Sequence, residues 1–244
     1  MGHVSECRAI STRKINSNRF TLYVHEAPNK DGPHTTEAVS YVVLEAGSWE
    51  LADGRPLEAG RLTTAATVGR QIGNEWAQVS FSSPFSAPPV VVSQVQTAND
   101  PHWVKTRQRD VTTTGFAVAM EEEEAKATPH GSEVIGWLAM AAGLGNWAGH
   151  AYEAGQTADA VTHNWYQIAF GQSFGQAPRF VGGLATYDGA DSAHLRYKRS
   201  SLTAAGVKMM VEEDTTWDSE TGHTTEVVHY LALEGDGTLT AQGR

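Results

Sequence analysis

A single cysteine, Cys7, stands in 244 residues. No disulfide can therefore close within the chain, and no cysteine-based zinc site can form. Charged residues make up only 19%, with a formal net charge of -10. Such a balance repels a phosphate backbone unless a basic stripe interrupts it. Lysines and arginines are scattered, apart from a small group at Arg196, Lys198 and Arg199, so nucleic acid is not an expected partner. No apolar run reaches the ~18–20 residues that cross a bilayer as a helix, which predicts no membrane span. The opening MGHVSECRAISTRK has no apolar stretch and is not read as a secretory signal. No window carries a clean helical stripe. Nor are there G-x-S-x-G, H-E-x-x-H or a supported Cys–His pair, and GLGNWAG at 143–149 lacks the lysine and helix of a phosphate cradle. No catalytic activity is expected.

What is present is repetition. HTTEAVSYVVLE at 34–45, HGSEVIGWLAM at 130–140 and HTTEVVHYLALE at 223–234 place a histidine, two small residues and a glutamate before an apolar run. The pairs His34/His130, Glu37/Glu133, Arg13/Arg109 and Phe20/Phe116 all share an offset of 96. Offsets of 89 for Trp76/Trp165, 91 for Gly115/Gly206 and 93 for His130/His223 add a third repeat with short insertions. A constant offset of this kind governs the fold. The organisation read from it is residues 1–49 as the second half of a first repeat, 50–143 as a second and 144–244 as a third. The joints SWELADGRPLEAG and NWAGHAYEAG share Glu-Ala-Gly. Within each repeat, short apolar and β-branched stretches alternate at period two between turn residues. The class is all-β, with each complete repeat a small antiparallel β-sandwich. Three strands in residues 1–49 cannot close a sandwich and leave an open edge, suited to self-association or to a partner chain.

The second repeat carries W-x-x-V-x-F-x-x-x-F-x-x-P-P-x-V at Trp76, Val79, Phe81, Phe85, Pro88 and Pro89, then Arg109 to Phe116, then Val134, Trp137, Leu138 and Ala139. This pattern resembles the H-type lectin domain of snail agglutinins and discoidin C-terminal domains. The third repeat departs at Ala177, Val207 and Tyr230. The resemblance implies six-stranded sandwiches that assemble as trimers or larger and bind galactose-type sugars at protomer edges. It also implies a sugar site with a central arginine and a tryptophan after the Gly-Phe strand. Arg199 (or Arg196) and Trp217 match those positions, while the loops 121–129 and 25–33 carry no aromatic.

Candidate ligand-binding residues are thus Arg199, Arg196, Trp217 with Asp218, Tyr187 with Asp188, and Arg109. Aromatic faces stack on pyranose rings while polar groups take hydroxyls. For the arginines the competing reading is ion pairs with the repeated glutamates. The set His34, His130 and His223 with Glu37, Glu133, Glu226, Glu122 and Glu213 offers two readings. If the strand ending at Glu122 forms a hairpin with the closing strand, the side chains converge and could hold calcium or zinc. Alternatively they bond turn amides and fix the hairpin register, the reading that threefold repetition favours. EEEE at 121–124 reads as a solvated acidic loop. Trp49 and Trp147 are expected to pack between repeats.

The sequence therefore predicts an extracellular or cell-surface carbohydrate-binding, adhesin-like protein without a resident cofactor, its partners glycans. The alternatives are a structural subunit of a surface assembly and a non-catalytic appendage of a polysaccharide-degrading enzyme.

Overall fold

The computed structural model describes residues 8–13, 19–29, 36–198 and 200–243. Its described residues are all strand and loop, arranged in several small sheets. The first repeat contributes β1 (Arg8–Arg13) and β2 (Thr21–Glu26), an antiparallel pair. The joint strand β3 (Gly47–Glu50) leads to β4 (Pro56–Thr64), β5 (Thr67–Val68), β6 (Ala77–Ser80) and β7 (Val90–Val95). β8 (Val104–Arg109), β9 (Gly115–Glu122) and β10 (Glu133–Met140) end the second repeat. The third runs through β11 (Gly143–Trp147), β12 (His150–Gln156), β13 (Tyr166–Ala169), β14 (Arg179–Leu184), β15 (Ala193–Tyr197), β16 (Gly206–Glu213) and β17 (Val228–Leu233), followed by β18 (Gln242–Gly243).

The two fuller repeats use one pairing scheme. β10 lies between β4 and β7, as β17 lies between β12 and β14. β9 lies between β6 and β8, as β16 lies between β13 and β15. All of these pairs are antiparallel, and the two-residue β5 adds to β9 in parallel. Alternation directs the side chains. In β10, Ile135, Trp137 and Ala139 meet Val79, Phe81, Phe116 and Met120 in the core of the second repeat. Tyr230 and Ala232 of β17 meet Ile168, Phe174, Val207 and Met209 in the matching core of the third.

The opposite faces of β10 and β17 are also buried, which is why these strands read as almost unbroken apolar runs. Leu138 and Met140, Leu231 and Leu233, and Val42 and Leu44 occupy matching positions in the three repeats. All six join one central core with Leu57, Val90, Trp147 and Tyr152. Burying a leucine or methionine side chain fully contributes about 1.5–3 kcal/mol. Trp49 and Trp147 sit in this shared core, as expected.

The repeated Glu-Ala-Gly has a packing cause. A Cβ on Gly60 would lie 2.4 Å from the Trp137 ring, and one on Gly155 would lie 2.4 Å from the Tyr230 hydroxyl. Only glycine lets the closing-strand aromatic cross its neighbour. The glutamate caps a turn in each repeat. Glu58 accepts the Ser82 N–H at 3.0 Å, and Glu153 accepts the Gly171 N–H at 2.7 Å.

Candidate binding site between the second and third repeats

The histidines and glutamates converge, by a route other than a hairpin. β9 and β10 belong to different sheets, so the expected hairpin between them does not exist. The link between them is an arch, and the glutamates at its two ends close on the histidine within it. His130 Nδ1 meets Glu122 Oε1 at 2.8 Å, and His130 Nε2 meets Glu133 Oε1 at 3.5 Å. In the third repeat His223 Nδ1 meets Glu213 Oε1 at 2.6 Å, and His223 Nε2 meets Glu226 Oε1 at 3.0 Å. All six side chains are buried. Further donors also repeat: Thr97 bonds Glu133 as Thr186 bonds Glu226. Each imidazole has carboxylates at opposite ring nitrogens, so no single ion can bind the ring and both carboxylates. These are hydrogen-bonded chains that pin the arch.

The electrostatics follow from this geometry. Burial opposes charge on His223, but hydrogen bonds to Glu213 and Glu226 and the Glu226 charge outweigh it, raising its pKa to about 9. Burial likewise opposes charge on Glu226, yet the His223 hydrogen bond and the Arg107 charge bring it down to about 2. His130 is shifted upward by Glu122 against its own burial.

Arg107 joins the repeats. From β8 of the second repeat it donates to Glu226 Oε1 at 2.7 Å, to Glu121 Oε1 at 3.1 Å and to the Thr186 carbonyl at 3.0 Å. Lys105 lies 3.4 Å from Glu121 and bonds Ser192 of the third repeat. EEEE at 121–124 is therefore not a solvated loop. Glu121, Glu122 and Glu124 are buried, the first two because Arg107, Lys105 and His130 compensate their charge. Glu124 is pushed up to about 8, chiefly by burial and then by the Asp214, Asp191 and Asp218 charges.

From Arg107 of this buried network a row of aromatic and guanidinium groups runs outward. Arg107 lies over the Tyr187 ring at 4.8 Å, Tyr187 meets Trp76 edge-on at 5.3 Å, and Arg109 lies over Trp76 at 4.4 Å. Trp76, Tyr187 and Arg109 are half-buried, and Asp188 beside them is exposed. The row crosses from the second repeat to the third. It sets two aromatic rings between two guanidinium groups, held by cation–π and edge-to-face contacts.

The predicted binding residues thus separate. Tyr187, Asp188 and Arg109 come together at this joint. Trp217, 54% exposed, stands in an acidic loop beyond it, where Arg70 lies 3.5 Å from Asp218 and 2.6 Å from Asp191. Arg196 is bonded to Glu212 instead. Arg199 and His34 lie outside the described residues. Glu37 is exposed, its charge acting on Tyr197. Asp191, Glu213 and Glu220 bring carboxylate oxygens within 4.8 Å of one another, and only Glu213 belongs to the metal set read from the sequence.

Strand register also corrects the arginine alignment. Arg107 pairs with Ala119 and Arg196 with Met210, so Arg196 is the counterpart of Arg107, and Lys198 that of Arg109. Side chains agree: Arg196 bonds Glu212 as Arg107 bonds Glu121, and Lys198 lies over Trp165 as Arg109 lies over Trp76. Sequence reasoning missed Arg107 and gave Trp76 only as part of the lectin-like pattern. The signal for Arg107 was its period-two spacing from Arg109 in RQR.

No family model matches the chain, and no solved structure does. Among curated proteins it is similar to halomucin of Haloquadratum walsbyi, 32% identical over 232 residues, or 93% of this chain. The chain spans about 2% of the length of that relative.

Proposed function

We propose that the chain is a non-catalytic, carbohydrate-binding module of a cell-surface or extracellular protein. In this reading its repeats are tandem β-sandwiches related to H-type lectins, divided at residues 49/50 and 143/144. The observation that carries it is the Arg109–Trp76–Tyr187–Arg107 row at the joint of the second and third repeats. A sugar edge-stacked on Trp76 and Tyr187 would find donors in Arg109 and an acceptor in Asp188. Likeness to a relative named as a mucin supports the surface or extracellular setting. The test is a glycan array with the full chain, with and without calcium, beside Trp76→Ala. Binding of galactose-type glycans that Trp76→Ala abolishes supports the reading. No binding at high protein concentration in either condition overturns it.

A second reading, a structural subunit of a surface assembly, is favoured by Tyr41 and Val43. They are 60% and 63% exposed on an extended segment with no ladder partner among the described residues. A monodisperse monomer at high concentration would count against this reading.

A further inference from the structure

Residues 36–45 match β10 and β17 in sequence, but not in pairing. Their inner face, Val42 and Leu44, packs in the central core as do Leu138, Met140, Leu231 and Leu233. On their other face Phe20 meets the Tyr41 ring edge-on at 5.1 Å, and Tyr41 and Val43 remain 60% and 63% exposed. The counterparts of Tyr41 and Val43 are Trp137 and Ala139, and Tyr230 and Ala232, packed in the cores of their own repeats. Part of their cover comes from the back half, where Phe116 meets Trp137 as Phe20 meets Tyr41; the rest comes from the front half of each repeat: the strand that carries Glu-Ala-Gly on one edge, β7 or β14 on the other, and the phenylalanine-bearing turn between.

The joints show how a front half reaches this place. Gly47, Gly143 and Gly237 open the three joints with φ of 154°, 136° and 145°, a region that favours glycine. Within the first joint, Asp53 and Arg55 adjoin the second: Tyr152 donates to Asp53 at 3.1 Å, and Arg55 donates to the Ala142 carbonyl at 3.3 Å. His150, within the second joint, adjoins the third, with Nδ1 2.8 Å from the Glu234 carbonyl. β18, within the third, pairs with β3 of the first. The three joints close a ring. Strands β4 and β12 leave their joints antiparallel to them and pair with the next closing strand around that ring. The strand that leaves the third joint by this rule runs along residues 36–45.

Groups on the third repeat wait for the same occupant. Tyr187, from a front half, covers Trp76 and Arg107 at the joint already described. Of their counterparts, Arg196 is bonded to Glu212, while Trp165 has Lys198 over its ring and is 44% exposed.

We propose that residues 36–45 are an acceptor strand for the front half of one more repeat of this type, carried by polypeptide continuing from the joint at residues 237–243. The occupant's chemistry is specified by its neighbours. It carries a glycine opposite Tyr41, as Gly60 lies opposite Trp137. It carries a β-branched strand for the other edge and an aromatic residue that lands on Trp165. This deepens the structural-subunit reading by naming what covers the edge, and the sugar reading does not depend on it.

The test compares the full chain with two forms extended after Arg244, one by a copy of residues 51–103 and one by a copy of residues 148–192. Hydrogen exchange of residues 36–45 is read beside the mass in solution. The expected result is rapid exchange in the unextended monomer and protection raised about a hundredfold in an extended, still monomeric form, with Trp165 emission shifted to the blue. Gly60→Leu in the grafted half removes that protection. The inference is overturned by protection already present in the unextended monomer, or by rapid exchange in both extended forms. It is also overturned if protection of the unextended chain comes with dimer mass, since a second molecule then fills the edge. Protection only when the same half is joined ahead of Met1 overturns the proposed route. A monomeric unextended chain by itself counts against the assembly reading and leaves this one standing.

Discussion

Arg107 of the second repeat donates to Glu226 of the third at 2.7 Å, and both side chains are buried. The pair joins two chains of charge, Lys105–Glu121–Arg107 and Glu213–His223–Glu226, into one network across the joint. Removing one partner of a buried pair leaves an uncompensated charge and costs about 3–5 kcal/mol. Arg107→Met is therefore expected to lower stability by that order, read from the denaturant midpoint. Arg107→Met combined with Glu121→Gln and Glu226→Gln is expected to recover part of the loss. An Arg107→Met midpoint equal to that of the parent chain would refute the network's role.

The pH dependence on the alkaline side follows from His223. Its folded pKa of about 9 lies above the ordinary imidazole value of 6.5. Stability from this group is fully present below about 6.5 and is lost as pH rises to about 9. The loss is on the order of 3 kcal/mol. Glu124, raised from 4.5 to about 8, slopes the same way over its own window. Thermal melts from pH 6.5 to 9 should show a falling melting temperature, and His223→Gln should flatten it. A parent curve flat over that range would contradict the charged imidazole.

His229 predicts the acid side. Its Nδ1 accepts the Val91 N–H at 3.0 Å and its Nε2 lies 3.1 Å from Gln156 Oε1, an arrangement that needs the neutral ring. Burial holds its pKa down at about 4. Stability from this group is present above about 6.5 and is lost as pH falls through 4. Glu226, lowered from 4.5 to about 2, adds a loss below 4.5. A proton titration by NMR should show His229 unchanged down to about pH 4.5, while His223 titrates near 9. An ordinary His229 midpoint near 6.5 would show that the Val91 contact is not held.

The repeat, the all-strand class and the alternation of the closing strands were legible in the sequence because they depend on local spacing. So was the extended path of residues 36–45, where Tyr41 and Val43 face out and Val42 and Leu44 face in. Strand partners were not legible. Glu122 and Glu133 come together across an arch between sheets, and nothing in the spacing of β9 and β10 distinguishes an arch from a hairpin. The role of Arg107 depends on a glutamate 119 residues away, and Arg109, two positions on, has the same local context. EEEE at 121–124 looked solvated because its cations lie on another strand and in another loop.

Gly60 and Gly155 give the most local prediction. A methyl group on Gly60 would meet Trp137 Cζ2 at 2.4 Å, and one on Gly155 would meet Tyr230 Oη at the same distance. Both rings are rigid and wedged among the phenylalanines of their cores: Phe116 lies 5.7 Å from Trp137, and Phe180 lies 5.6 Å from Tyr230. Overpacking a well-filled core costs about 1–3 kcal/mol. Gly60→Ala and Gly155→Ala should each lower the unfolding midpoint by that order. Gly60→Ala with Trp137→Leu should lose less than the sum of its parts, because the smaller side chain removes the collision. Additive losses in the double variant would place the cost in the backbone instead of the ring contact.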